Sequence, residues 1–317
     1  MYISRSLDEA ALHLAGRGTV LTIGTFDGVH LGHQRIVEEL QAQAKARDLL
    51  SLVITFARHP AGVIAGEAPP LLMPLEDRLD RLAGLGVDAC LLLEFDADLA
   101  DSEPAGFARD VLGRGLGARA VVIGHDFRFG ARGKGDGETL AAVGRESGFE
   151  VIRVAPVVVG GTVVSSTAIR WMLAAGDVAR ARAYLGRAYS IKGIVQTGAQ
   201  RGRRLGYPTA NLAFAPGVLW PRFGVYLVRI ALGAETRFGL ANVGVKPTFG
   251  RHEPAVEVHL FSYQGDLYAT PIEAAFLSFL RPERRFATPR ELRAQIETDI
   301  AEARAMLERG VPETASP

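Results

Sequence analysis

One change of texture constrains the fold of this 317-residue chain more than any other feature, and it falls near residue 186. Before it, short apolar and often β-branched runs at 19–23, 52–56, 89–95, 119–123 and 150–154 alternate with amphipathic stretches of helical period at 33–47, 75–85 and 104–112. Strands that are apolar throughout have no wet face, so the sheet they form is covered on both sides, and helices between them supply the crossovers that parallel pairing needs. The expectation is a doubly wound α/β domain over 1–185, with ligands bound beyond the carboxyl ends of its strands.

Beyond that point the runs at 191–195, 225–230, 256–261 and 274–279 are separated by Gly- and Pro-bearing turns, with no helical stretch between them. Such spacing predicts an antiparallel barrel or sandwich over 186–317. One helix closes the chain at 289–309. Thr288 and Glu291 form a capping box around Pro289, and Gly310 supplies the stop. Leu292, Ile296, Ile300, Ala303 and Leu307 fall on one face, which must pack against something. Residues 313–317 read as a frayed tail.

Composition excludes several classes. The 36 basic and 35 acidic residues leave a net charge of +1, without the basic excess of a nucleic-acid binder. The single cysteine, Cys90, lies in an apolar run, so a buried thiol is expected and neither an intrachain disulfide nor a zinc site. The start of the chain lacks a signal-peptide core, and no apolar run approaches the roughly 20 residues that span a bilayer, so no membrane association and a cytoplasmic address are expected.

After the first strand comes Gly24-Thr25-Phe26-Asp27-Gly28-Val29-His30-Leu31-Gly32-His33. Two histidines three apart, bracketed by glycines, stand where a strand turns into a helix. Free N–H groups and partial positive charge there suit a phosphate, and the glycines permit close backbone approach. The imidazoles can donate to an α-phosphate as charge builds during nucleotidyl transfer; a structural cap or half of a metal site remains the alternative. Three more segments bear on the same chemistry: Thr55-Phe56-Ala57-Arg58-His59-Pro60, Gly124-His125-Asp126-Phe127-Arg128-Phe129-Gly130 and Val164-Ser165-Ser166-Thr167-Ala168-Ile169-Arg170. Asp126 is either a hard oxygen ligand for Mg²⁺ or a turn residue. The Ser165–Thr167 hydroxyls are either a helix cap or, with Arg170 one turn on, a phosphate grip. The Gly-rich stretches 113–117 and 130–135 match neither a dinucleotide fingerprint nor a Walker loop and are expected to be plain loops.

In the second half, the stretch from Gly193 to Leu212 carries Gly198, Gly202, Arg203, Gly206, Pro208, Thr209 and Asn211. A glycine-rich basic loop can cradle phosphate, and Thr209 and Asn211 offer neutral oxygens to Mg²⁺. In 255–261 Val256, Val258 and Leu260 share one strand face, while Glu257, His259 and Phe261 share the other. A lone strand glutamate ordinarily faces water.

These motifs resemble, in order and over nearly the whole chain, the bacterial bifunctional riboflavin kinase/FAD synthetase family. The resemblance implies a Rossmann-like nucleotidyltransferase domain with a parallel sheet, then a six-stranded antiparallel riboflavin-kinase β-barrel with a terminal helix. It implies that riboflavin is phosphorylated by ATP to FMN, with Glu257 as the base, and that FMN is adenylylated by ATP to FAD with release of pyrophosphate. Gly24, Phe26, Asp27, Gly28, His30, Gly32, His33, Ser165, Ser166, Thr167 and Arg170 would then hold ATP in the first domain. His59, Pro60, Gly124, Asp126 and Phe127 would face flavin or phosphate, and Mg²⁺ would meet Thr209, Asn211 and Asp126. His259 is expected to be a supporting residue. The sequence departs from the family at Ala57, Arg58, Ser262, Gln264 and Ala269, the last a position where glycine is usual. The rivals are a nucleotidyltransferase for another acceptor and a barrel that binds flavin without phosphorylating it. No partner protein is implied.

Overall fold

A computed structural model of the chain describes residues 1–14, 16–196, 206–248 and 251–310. Its contacts separate two compact units, Met1–Val164 and Ser165–Pro317.

The first unit is built on six parallel strands, β1 (Tyr2–Ser4), β2 (Thr19–Ile23), β3 (Leu50–Phe56), β4 (Ala89–Leu93), β5 (Ala118–Gly124) and, after a small hairpin of β6 (Arg128–Phe129) and β7 (Gly135–Asp136), β8 (Glu150–Val154), in the order β1-β4-β3-β2-β5-β8. Successive residues go to opposite faces. Leu21, Leu52, Leu91 and Val121 join one buried cluster with Leu112 and Leu140, whereas Val20, Val53, Ala120 and Val122 join another with Val37 and Leu40. Both faces are dry, which is why these strands read as unbroken apolar runs. The chain moves outward from β2 through β3 to β4, then returns to β5 on the other side. The reversal places the ends of β2 and β5, Gly24 and Gly124, at the crevice where such sheets bind ligands.

Three details differ from what the sequence predicts. Strand β1 has no sequence signal, since three residues are too few to show a period. The stretch expected as one helix over 104–112 is a turn at Pro104–Gly106 and then a wider π-helix, Phe107–Gly115, in which Leu116 N–H reaches the Val111 carbonyl at 2.9 Å. Gly113 and Gly115 therefore end a helix rather than form a loop, and the stretch at 130–135 runs through the β6–β7 hairpin. A hairpin of β9 (Val158–Val159) and β10 (Thr162–Val163) closes the unit.

The second unit opens with the helices Ser166–Ala175 and Val178–Leu185. Six antiparallel strands come next, β11 (Tyr189–Gln196), β12 (Ala210–Phe214), β13 (Gly224–Leu232), β14 (Glu235–Thr248), β15 (Arg251–Leu260) and β16 (Pro271–Arg281), closed into a barrel in the order β11-β12-β15-β14-β13-β16. Val228, Ile230, Val256, Val258 and Phe276 are fully buried. The closing helix, Pro289–Glu308, is capped by Thr288, whose hydroxyl accepts from Glu291 N–H at 3.2 Å, as its capping-box sequence predicts. Its Ala303 is buried in a cluster with Val225, Leu227 and Leu277 on β13 and β16. A buried ion pair pins it there: the Arg281 guanidinium donates to both Asp299 oxygens at 2.8–3.1 Å, and Gln295 donates to the same carboxylate at 2.6 Å. Asp299 is one of few buried charges among the described residues, and stripping its partner would leave that charge uncompensated.

Among the described residues, no helix is long and apolar enough to cross a membrane. Cys90 is fully buried in β4, and burial pushes its thiol up to about 12, so it is an inert core group.

Candidate active sites

In the first unit the strand β2 ends at Gly24, whose N–H still reaches the Ile54 carbonyl of β3 at 3.1 Å. The chain then makes a tight turn before the helix Leu31–Arg47. Phe26 (φ 50°), Gly28 (φ 85°) and Val29 (φ 38°) all take left-handed backbone conformations. For a β-branched valine this is strain that only a well-braced surrounding sustains. His30 caps the helix: its Nδ1 accepts the His33 N–H at 3.3 Å, and the two rings stack at 3.6 Å between centroids. The cap and the candidate phosphate donor are thus the same residue. Gly32 gives this stack room, because a Cβ there would sit a tight 3.1 Å from the His30 ring. The Phe26 ring lies against His33 with centroids 5.1 Å apart.

Charges around the turn are buried. Asp27, 1% exposed, accepts the Leu72 N–H at 2.9 and 3.1 Å and so ties the 70–74 segment down rather than facing the crevice. Arg78, which no sequence motif marks, reaches the Thr25 carbonyl at 2.7 Å and the Phe56 carbonyl at 2.5 Å. Burial, then the neighbouring His30, then the Arg78 charge push His33 well below the ordinary histidine value, so its imidazole is neutral at physiological pH.

The other first-unit residues surround the same strand ends. His59 accepts the Ala61 N–H at 3.2 Å and, with Pro60, starts the short helix Ala61–Ile64 after β3. Past Gly124 at the end of β5, Phe127 stacks on Phe129 at 5.5 Å. Asp126 has an 82% exposed side chain whose carboxylate lies 3.7 Å from His125. It borders a small cleft of about 160 Å³ shared with Arg128, Asp136, Glu138 and Arg153. Arg128 lies 3.5 Å from Asp136 and Arg153 lies 2.6 Å from Glu138. Both arginines thus lie against carboxylates, and Asp126 is the third acidic group on the cleft.

At the start of the second unit, Ser165 caps the helix Ser166–Ala175 by accepting the Ala168 N–H at 3.2 Å, so the capping alternative holds for that hydroxyl. Thr167 is exposed, and Ser166 and Arg170 are half-buried on the first turns. The glycine-rich loop of this unit is described only from Gly206, which takes φ 86°; Gly198, Gly202 and Arg203 lie outside the described residues. Tyr207 and Pro208, at the end of that loop, are both held. The Tyr207 hydroxyl donates to Glu297 of the closing helix at 3.1 Å, and His259 Nδ1–H donates to the Pro208 carbonyl at 2.9 Å. His259 is thus a brace, as expected.

Thr209 then stands between two cavities. One, of about 610 Å³, is bordered by Val195, Pro208, Leu260, Tyr263 and Asp266. The other, of about 390 Å³, is bordered by Glu257, Asn242, Arg281, Phe286 and Ile296. Among the described residues, Thr209 alone lines both. Glu257 sits mid-strand on β15, directly opposite Asn211 on β12 and Asn242 on β14, so one carboxylate is flanked by two amides on the same face. Asn242 donates to Glu283 at 3.2 Å, and the Glu283 carboxylate lies over Gly244, where a Cβ would make it move. Asn211 Oδ1 is buried with no hydrogen-bond partner among the described residues. An orphaned hard oxygen beside a hydroxyl is a donor set that fits Mg²⁺.

Candidate sites in both halves of the chain agree with the comparisons. Residues 13–168 match the family model described as FAD synthetase, and residues 185–307 match the one described as riboflavin kinase. A bifunctional riboflavin kinase/FMN adenylyltransferase of Escherichia coli K12 is 39% identical, the match covering 90% of this chain and 92% of that relative. The chain belongs to the bifunctional riboflavin kinase/FMN adenylyltransferase family. The Bacillus subtilis 168 member of the family is 35% identical, with 90% of this chain and 91% of the relative covered. The fold is likewise shared with a solved structure described as a macrolide-efflux protein from Streptococcus pneumoniae, 28% identical with a TM-score of 0.86, covering 96% of this chain and 99% of that one.

Two of the five departures from the family, Ser262 and Ala269, fall on strained backbone. Ala269, where glycine is usual, has φ 56°, and Ser262 has φ 53°. Both positions are left-handed, the region that glycine and, less readily, Asp or Asn tolerate. Ala57 and Arg58 come directly after β3, where Ala57 N–H continues the ladder to the Leu93 carbonyl at 2.9 Å.

Proposed function

We infer that the chain makes FAD in two ATP-dependent steps, phosphorylation of riboflavin to FMN and adenylylation of FMN with release of pyrophosphate. The family match across both halves carries this reading. Riboflavin, FMN and ATP are its small-molecule substrates. We divide the activities at 185/186, with FMN adenylyltransferase before and riboflavin kinase after, and place the enzyme in the cytoplasm, where ATP is supplied.

For the kinase, the geometry supports Glu257 as the base. The acceptor hydroxyl would lie in the smaller cavity over Glu257 and the triphosphate in the larger, so the two meet at Thr209. Glu257 takes the hydroxyl proton as the oxygen attacks the γ-phosphorus, and the bond from that phosphorus to the ADP oxygen breaks. Thr209 and Asn211 would hold Mg²⁺, which when bound neutralises the phosphate oxygens. Gly198, Gly202, Arg203 and Gly206 are the expected phosphate cradle, with Pro208 setting the entry to β12.

For adenylyl transfer the FMN phosphate is itself the nucleophile, so no protein nucleophile is needed. His30 and His33 would donate to the α-phosphate oxygens as charge develops. A neutral His33 keeps one N–H for that purpose. Gly24, Phe26, Gly28 and Gly32 shape the turn, Asp27 fastens it, and Ser166, Thr167 and Arg170 would meet the β- and γ-phosphates. His59, Pro60, Gly124 and Phe127 would border the flavin phosphate. Asp126, with its exposed carboxylate, would face the flavin phosphate and hold Mg²⁺ there. Incubating the purified chain with riboflavin and Mg·ATP and resolving FMN, FAD and pyrophosphate over time tests the whole scheme. Absence of FMN sinks the kinase half, and absence of FAD from added FMN sinks the other.

A further inference from the structure

We propose that Arg78 is a positioning residue for adenylyl transfer: its guanidinium holds the Thr25–Asp27 turn, and through it His30 and His33, in the reactive geometry. The inference rests on the histidine turn being the adenylyl-transfer site.

Arg78 lies on the helix Leu75–Gly84 and is 6% exposed. A buried charge costs desolvation that an apolar residue does not, and Arg78 bears that cost. The charge is spent on two backbone carbonyls, Thr25 just past β2 and Phe56 at the end of β3. Those are adjacent strands, and the link bridges them where the ladder stops. The turn beyond contains Phe26 and Val29 at positive φ, strained conformations that persist only when the surroundings hold them. Three tethers contribute: the Arg78 fork on Thr25, the Thr55 hydroxyl on the same carbonyl at 3.2 Å, and Asp27 on Leu72. The Thr55 hydroxyl also joins β3 to Thr25; the fork adds the Phe56 carbonyl and holds both through one rigid group. A planar guanidinium spans two carbonyls, whereas an ammonium reaches one well.

The test uses the full chain. Arg78→Met keeps length and removes both bonds; Arg78→Lys keeps the charge and one bond. Arg78→Met should lower kcat for FMN adenylylation about a hundredfold while the KM for ATP stays within about threefold, as misplacement by about 1 Å does. Arg78→Lys should recover part of the loss, and riboflavin phosphorylation on the same chain should be unchanged in both. Thermal melts followed by circular dichroism set the assay temperature below each variant's transition. The proposal is overturned if Arg78→Met stays within about twofold of the parent kcat, if the loss lies in KM alone, or if Arg78→Lys recovers nothing. His30→Ala in the same assay separates two failures. Should His30→Ala lose FAD formation while Arg78→Met retains it, the role of Arg78 alone is wrong. Should both retain it, the site itself is misplaced.

Discussion

The histidine turn hangs beyond the ends of β2 and β3, whereas Glu257 sits mid-strand between Asn211 and Asn242. A mid-strand group is fixed by ladder hydrogen bonds that the barrel makes in any case. The turn has no ladder and must be fastened by buried side chains, Arg78, Asp27 and Thr55, at the cost of two strained residues. Chemistry follows construction. On the proposed reading the barrel presents a carboxylate that would take a proton. The turn presents an imidazole pair, its His33 neutral, that would only orient and stabilise charge.

That contrast can be broken by exchanging losses. Glu257→Gln should cut FMN formation by about 10²–10⁴, the range of a lost general base, while added FMN is still converted to FAD. Loss of both products would mean the sites are not independent; a chromatographic product assay decides it. His30→Ala should cut FAD formation by about 10²–10³, the size of one lost charge-stabilising donor, with FMN production intact. Asn211→Ala should raise the Mg²⁺ concentration needed for half-maximal kinase rate by about tenfold and leave adenylylation unmoved. A metal titration that is unchanged removes Asn211 from the metal site. The smallest effect is in the other direction: Ala269→Gly should stabilise the barrel by about 1 kcal/mol by relieving a left-handed alanine. Denaturant unfolding followed at the barrel measures it, and an unchanged midpoint would show that position 269 is not strained.

Much of the architecture is legible in the residues alone. The dry strands at 19–23 and 52–56 and the cap at Thr288 are local patterns, and local patterns survive folding. The π-helix at 107–115 is not legible, because a shift of hydrogen bonding from i−4 to i−5 leaves no mark in residue type. Residue types of the candidate sites are legible too, since His30, Thr209, Asn211 and Glu257 stand in compact motifs. Their braces are not. Arg78 and Asp299 each interrupt the apolar stripe of an amphipathic helix, at Leu75-Arg78-Leu82 and Ile296-Asp299-Ala303. A periodicity argument discards such charges as surface. Read instead as charges facing inward, they point to the two places where each unit anchors its functional segment.

Thr209 walls both barrel cavities. If the two cavities take donor and acceptor as proposed, their affinities share one adjustable position. A bulkier or smaller side chain there reshapes the two at once, so selection acting on the barrel can tune them separately only at residues farther from the transferred phosphoryl group.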